Sequence, residues 1–235
     1  MSASTTIIAA LKFEGGVVIA ADSQTSDPSA SVRWPVEKLH QVGAHPLVVG
    51  IAGATGSAKR VKENLDKAKI HSNMFDKQER VRDLLDRCFD PVYQRAFKKN
   101  SPPPPQSVAW QITIHGLAAF WADGVPRIIE YETNSDCDYH DYFHAIGSGS
   151  GTAYAIWRTL GSRALSTLDE AKAIPVTLRI LRTCVNVEMW GVSEPFSIWL
   201  VTSDGARKLS QPRLEADLQY VDEWEESERQ RFFKS

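Results

Sequence analysis

The chain has 235 residues, of which 43% are apolar, and a formal net charge of −2 with both signs interspersed. That length suits one domain or two small ones, with enough apolar side chains for a sizeable core. The balanced charge argues against a nucleic-acid binder or a polybasic membrane binder.

The opening Met1-Ser2-Ala3-Ser4-Thr5 has no basic character, and the apolar run Ile7 to Leu11 is too short for a signal core or a membrane span. Three cysteines, Cys88, Cys137 and Cys184, form no close pair. A sparse odd set reads as reduced thiols, and a cytoplasmic location is expected.

Elements follow in a clear order. Thr6 to Phe13 and Val17 to Asp22 flank Glu14-Gly15-Gly16 and predict a hairpin. Both strands are apolar on both faces, so the sheet should be covered on both sides. Pro46 to Ala52 predicts another strand, ending at Gly53. A helix is expected over about 55–72, with Val61 and Leu65 four apart. A second is expected over about 77–98, with a stripe of Val81, Leu84, Leu85, Cys88, Phe89, Val92 and Tyr93.

Four prolines at 102–105 predict an extended surface loop. Strands are expected from Val108 to Trp121 and Arg127 to Tyr131, and Asp138 to Tyr142 reads as a polar loop. Gly147-Ser148-Gly149-Ser150-Gly151 should open a helix near 152. Thr167, three before Glu170, has capping-box spacing for the next helix, with Pro175 in its early part. Two strands, Phe196 to Thr202 and about Arg207 to Leu209, precede a charged helical tail. Strands segregated from paired helices predict a layered α+β domain with the sheets in the middle.

Four segments, in order, carry a family likeness: Thr5 to Ser23, Val36-Glu37-Lys38-Leu39, Gly50-Ile51-Ala52-Gly53-Ala54-Thr55-Gly56, and Ala145 to Ala155 with its GSGSG turn. Together they resemble the proteasome β-subunit and HslV-type family over about residues 5–210. The resemblance implies a four-layer αββα sandwich of the N-terminal-nucleophile hydrolase type and assembly into rings. It also implies hydrolysis of peptide bonds in unfolded protein inside a chamber. An AAA+ unfoldase partner follows by analogy, and no cofactor, metal, nucleic acid or membrane is expected. The domain would span 6–211, behind a removable leader at 1–5 and ahead of a tail at 212–235.

An N-terminal threonine suits amide hydrolysis because its hydroxyl is the nucleophile and its own α-amine the base. A free α-amine has a pKa of about 7.7–8.0. A neighbouring ammonium lowers both pKa values, and a carboxylate keeps that ammonium charged and oriented. The resemblance gives these roles to Thr6, Lys38 and Asp22, with Ser148 completing the proton network. The Gly53 N–H is the expected oxyanion donor, since glycine lets the backbone approach substrate. The local string Thr-Thr-Ile favours Thr5 as the nucleophile. Counted back from Asp22 and Lys38, Thr6 falls at the separation that the family resemblance implies, whereas Thr5 would need a bulge, and a one-residue slip would turn the strand's side chains over. Carried over by position, the first substrate pocket would be lined by Thr25, Val36, His40, Ile51 and Thr55.

Each residue also has an ordinary reading. Lysines are usually solvated, aspartates at strand ends form turns, and Ser148 between glycines would cap a helix. Only the joint spacing favours chemistry. Two departures from the family pattern stand out: no glycine precedes Thr6, and near 186–191 Trp190 replaces a supporting serine while Glu188 is one residue out of register. These favour an alternative, a ring subunit without a working site; a small-molecule amidase on the same fold is another. His140-x-x-x-His144 has metal-like spacing, but the sequence places no third ligand and ordinary histidines are expected. The glycines at 147, 149 and 151 do not make a dinucleotide loop or a nucleophile elbow. In the tail, Trp224, Phe232 and Phe233 are candidates to dock on a neighbouring subunit.

Overall fold

The computed structural model describes residues 6–27, 32–71, 73–99, 114–132, 137–161, 167–187 and 193–234. The proline-rich loop and Glu188 to Gly191 lie outside them.

Strands β1 (Ile8–Phe13) and β2 (Gly16–Asp22) form the expected hairpin, and every β2 residue is buried. They lie inside a five-stranded antiparallel sheet of order β10-β1-β2-β11-β12, with β10 at Phe143–Ile146, β11 at Phe196–Thr202 and β12 at Gly205–Lys208. A second five-stranded sheet runs β5-β6-β7-β8-β9, comprising Leu39–Gln41, Leu47–Gly53, Ile114–Ala122, Val125–Tyr131 and Cys137–His140. A small hairpin of β3 (Gln24–Asp27) and β4 (Val32–Pro35) joins the sheets in sequence.

The period-2 alternation of side chains builds the layers. Ile8, Ala10, Ile19 and Ala21 of the first sheet meet Val48, Leu117, Ala119 and Ile128 of the second. Gly50 permits that approach, since a Cβ there would come within 2.7 Å of Ile8 Cγ2. The opposite face of the first sheet, with Ile7, Ala9, Leu11, Val18 and Ala20, packs on helices α3 (Ser150–Thr159) and α4 (Glu170–Val187). The outer face of the second sheet, with Val49, Ile51, Ala118 and Phe120, packs on α1 (Thr55–Lys67) and α2 (Gln78–Lys99). The result is the four-layer αββα sandwich. It explains why β1 and β2 are apolar on both faces.

Several expectations are corrected. Helix α1 ends at Lys67, not near 72, because Ala68 is already extended. The segment read as a polar loop at 138–142 contains strand β9, paired with β8 from Ile128↔His140 to Tyr131↔Cys137. Asp169, not Thr167, caps α4, its Oδ1 accepting from the Lys172 N–H at 2.9 Å. Helix α5 (Gln211–Lys234) packs on α4 through Leu214, Val221 and Trp224. Arg179 lies 4.1 Å over the Trp224 ring and pairs with Glu228, while Arg182 pairs with Glu225 at 2.9 Å. Trp224 therefore packs within its own chain; Phe232 and Phe233 stay exposed. No helix among the described residues is long and apolar enough to cross a membrane.

Candidate active site

Four of the five residues assigned catalytic roles converge where the first sheet ends. Thr6 lies two residues before the start of β1, Asp22 closes β2, Lys38 directly precedes β5, and Ser148 sits in the turn between β10 and α3. Lys38 Nζ donates to Thr6 Oγ1 at 3.1 Å and to Asp22 Oδ1 at 2.7 Å. The Thr6 backbone N–H donates to Ser148 Oγ at 3.0 Å. Thr6, Asp22 and Lys38 are 5%, 0% and 7% exposed, so this is a desolvated network and not a solvated surface pair.

The Asp22 carboxylate is held from several directions. Oδ1 accepts from the Ile7 N–H at 2.9 Å and Oδ2 from the Gln24 N–H at 3.2 Å. Burial pushes the Asp22 pKa up, against the pull of Lys38 and of those two N–H groups. Burial likewise pushes the Lys38 ammonium below its ordinary range, and Asp22 opposes that shift. The geometry fixes a poorly hydrated lysine amine against a hydroxyl, and the protonated form of that amine favours the alkoxide form of the hydroxyl. Cys88 and Cys137 are weak candidates for nucleophilic chemistry, since burial pushes their thiols up to about 11 and about 12.

The ordinary reading of Ser148 as a helix cap is not what the structure has. Gly149 occupies the cap position of α3, with no side-chain cap bond, and Ser148 Oγ faces Thr6 instead. Gly147 was given no role in the site from the sequence, yet it shapes the site. Its φ is +94°, and a Cβ there would lie 2.2 Å from Thr6 O. The Gly149 N–H donates to that same Thr6 carbonyl at 3.2 Å. The turn is thus pressed against the Thr6 backbone, and only glycine fits at 147.

Gly53 is the exposed last residue of β6, with φ +121°. Two residues earlier, the Ile51 N–H donates to the Lys38 carbonyl at 3.3 Å, which ties this strand end to the lysine. Of the pocket residues, Val36 follows β4 and donates its N–H to Ser23 O at 2.7 Å, beside Asp22. His40 lies on β5 with Nε2 2.9 Å from Asp66 Oδ1 of α1. Thr55 is the exposed first residue of α1. Ile51 is buried in the helix-side core, so most of its surface is already used in packing. Thr25 lies on β3, and its side chain is outside the described part of the structure, as are Thr5, Glu188 and Trp190.

Comparison with known proteins gives consistent results. A "Proteasome subunit beta" from Acidimicrobium ferrooxidans is 29% identical over 178 residues, covering 75% of this chain but 61% of that protein. The "ATP-dependent protease subunit HslV" of Paramagnetospirillum magneticum is 25% identical over 182 residues, 77% of this chain and 87% of that one. Among solved structures, Anbu, described as an ancestral beta-subunit, from Yersinia bercovieri superposes with a TM-score of 0.74 at 15% identity, over 97% of both chains. An Anbu (Gly-1) mutant from Hyphomicrobium sp. strain MC1 gives 0.73 at 16% identity, over 98% of this chain and 97% of that one. Those two likenesses establish the fold. The profile of the proteasome subunit family matches residues 1–191, and the chain belongs to that family.

Proposed function

We propose that this chain is a threonine-type endopeptidase acting as a homo-oligomeric, self-compartmentalising ring, with Thr6 as its nucleophile. The observation that carries the reading is Thr6 Oγ1 at 3.1 Å from a buried lysine that is itself 2.7 Å from a buried aspartate. Removal of residues 1–5 would turn the Thr6 peptide nitrogen into an amine. That amine takes the Oγ1 proton as the oxygen attacks the scissile carbonyl. Lys38 stabilises the developing charge on Oγ1, and Asp22 keeps Lys38 charged and aimed. Ser148 orients the amine, and the Gly53 N–H receives the oxyanion.

Thr25, Val36, His40, Ile51 and Thr55 would line the first pocket. With no formal charge there at neutral pH, no strict acidic or basic preference is expected. Substrates would be peptides or unfolded protein, supplied by an AAA+ unfoldase in the cytoplasm.

The N-terminus tests the mechanism. Intact-mass measurement on material that hydrolyses fluorogenic peptides should find chains beginning at Thr6, with activity proportional to their fraction. Active material beginning uniformly at Ser2 would reject it. A second reading, a ring subunit without a working site, is favoured by Thr5 standing where a glycine usually precedes the nucleophile. It predicts intact leaders and no hydrolysis.

The pH profile is a separate check. Activity should rise as the Thr6 amine loses its proton, near or below the about 7.7–8.0 of a free α-amine because Lys38 is a like charge. It should fall as Lys38 deprotonates, and burial places that limb below the ordinary lysine value of 10.5. An alkaline limb at or above that value would contradict the role given to Lys38.

A further inference from the structure

A second polar cluster, sharing no residue with the Thr6 network, interrupts the apolar layer between the sheets. The β8–β9 register opposes Ile128 and His140, so His140 stands on the same face as the inward-packed Ile128, and Glu130 follows two residues on. His144 on β10 stands two residues before Ile146, which packs in the same layer. Glu130 and His140 belong to one sheet and His144 to the other. The histidines flank the two-residue link, Asp141-Tyr142, by which the chain crosses between sheets.

The side chains converge. Glu130 Oε2 lies 2.6 Å from His144 Nε2 and 3.5 Å from His140 Nε2. One candidate ligand atom from each of the three residues falls within 4.8 Å of the others. Both Nε2 atoms are shielded from solvent, yet neither makes a hydrogen bond of normal direction. His144 as a whole is 8% exposed. A buried ring nitrogen beside a carboxylate but without a well-directed bond is costly unless something else satisfies it. On its far side, His144 Nδ1 meets the Tyr154 hydroxyl at 2.6 Å. If Nδ1 carries the ring proton, the Nε2 lone pair is free to bind a cation, the usual outer partner arrangement of a metal-bound histidine.

We propose that Glu130, His140 and His144 form a binding site for a divalent transition-metal ion of the zinc class, which ties the two sheets together at the edge where the chain crosses between them. Two imidazoles and a carboxylate suit zinc, cobalt or nickel and do not suit magnesium or calcium. Zinc ligands at about 2.0–2.2 Å on a tetrahedron stand roughly 3.3–3.6 Å apart. The His140–Glu130 spacing already matches, and the His144–Glu130 pair must open by less than about 1 Å. The two rings are stacked at 3.5 Å and 17°, so binding also splays them. The His140 side chain is partly exposed, at 22%. His115 Nδ1, 4.0 Å from Glu130 Oε1, flanks the carboxylate on its other side.

The full-length protein, stripped with chelator, should be titrated with Zn²⁺ by calorimetry and with Co²⁺ by visible absorption. One ion per chain, the strong visible bands of four-coordinate Co²⁺ and a raised melting temperature are expected, with no competition from Mg²⁺. His144→Ala and Glu130→Gln should each weaken binding by at least about 100-fold, and Tyr154→Phe by about 10–100-fold as a supporting partner. The less buried His140→Gln is the variant to read if a buried substitution fails to fold, and it should weaken binding equally. No Zn²⁺ binding at micromolar metal, or binding unchanged in His140→Gln, overturns the proposal and leaves an ordinary His–Glu cluster.

Discussion

Lys38→Ala should lower peptide hydrolysis by about 10²–10⁴-fold, the usual contribution of a positioned proton-transfer or charge-stabilising group. The chain should still fold and assemble. The substitution removes the cation from Thr6 Oγ1 and also strips Asp22, 0% exposed, of its partner. Breaking a buried pair on one side costs about 3–5 kcal/mol, because a charge is left unpaired.

That penalty has a defined pH dependence. Asp22 in the variant keeps its burial and loses the lysine that lowered its pKa, so its folded pKa rises further above the unfolded value. The penalty is therefore full above the folded pKa and is relieved as pH falls through it. Urea denaturation at several pH values should show a deficit against the parent that shrinks on acidification. Adding Asp22→Asn should recover stability and leave activity lost. Turnover retained by Lys38→Ala would remove the lysine from the mechanism.

Gly147→Ala should damage both stability and activity, although position 147 bears no reactive group. Its φ of +94° is one that side-chain-bearing residues adopt at a cost of about 1–3 kcal/mol. The added Cβ would also sit 2.2 Å from Thr6 O, a backbone atom held in place by β1 and by the Gly149 N–H. Overpacking of this kind costs a further ~1–3 kcal/mol. For a domain of this size each kcal/mol is about 2–4 °C in melting temperature, so a drop on the order of 5–20 °C is expected. Relief must come from moving Thr6 or the Ser148 turn, and a misplacement near 1 Å costs about 10²-fold in rate. Gly151→Ala is the control. Its Cβ meets nothing within 4 Å, it lies in α3, and alanine there should be neutral or stabilising by up to about 1 kcal/mol. Equal damage from both substitutions would show that the close approach to Thr6 is not what makes Gly147 necessary.

The regular elements were legible where periodicity was long. The stripe from Val81 to Val92 is the buried face of α2, and the doubly apolar β1–β2 hairpin does lie between layers. The short strands β3, β4 and β9 were missed because four residues carry too little alternation to register. Their strand character comes from neighbours, as the pairing of β9 with β8 shows. The resemblance to the proteasome family brought Thr6, Asp22, Lys38 and Ser148 forward as a set, and each lies beside or at the end of a strand or in the turn after one.

What local sequence cannot carry is contact between segments far apart in the chain. The need for glycine at 147 exists only because the turn is folded against Thr6, some 140 positions earlier. Glu130 becomes a third group beside His140 and His144 only because strand register and the crossing between sheets bring it there. The packing of Trp224 on Arg179 depends on α5 returning across α4. Composition and periodicity are properties of neighbours along the chain, so they determined the order of strands and helices, while the candidate residues came from the resemblance to the proteasome family. Distances, desolvation and close approach are properties of neighbours in space, and the packing of the sandwich decided those.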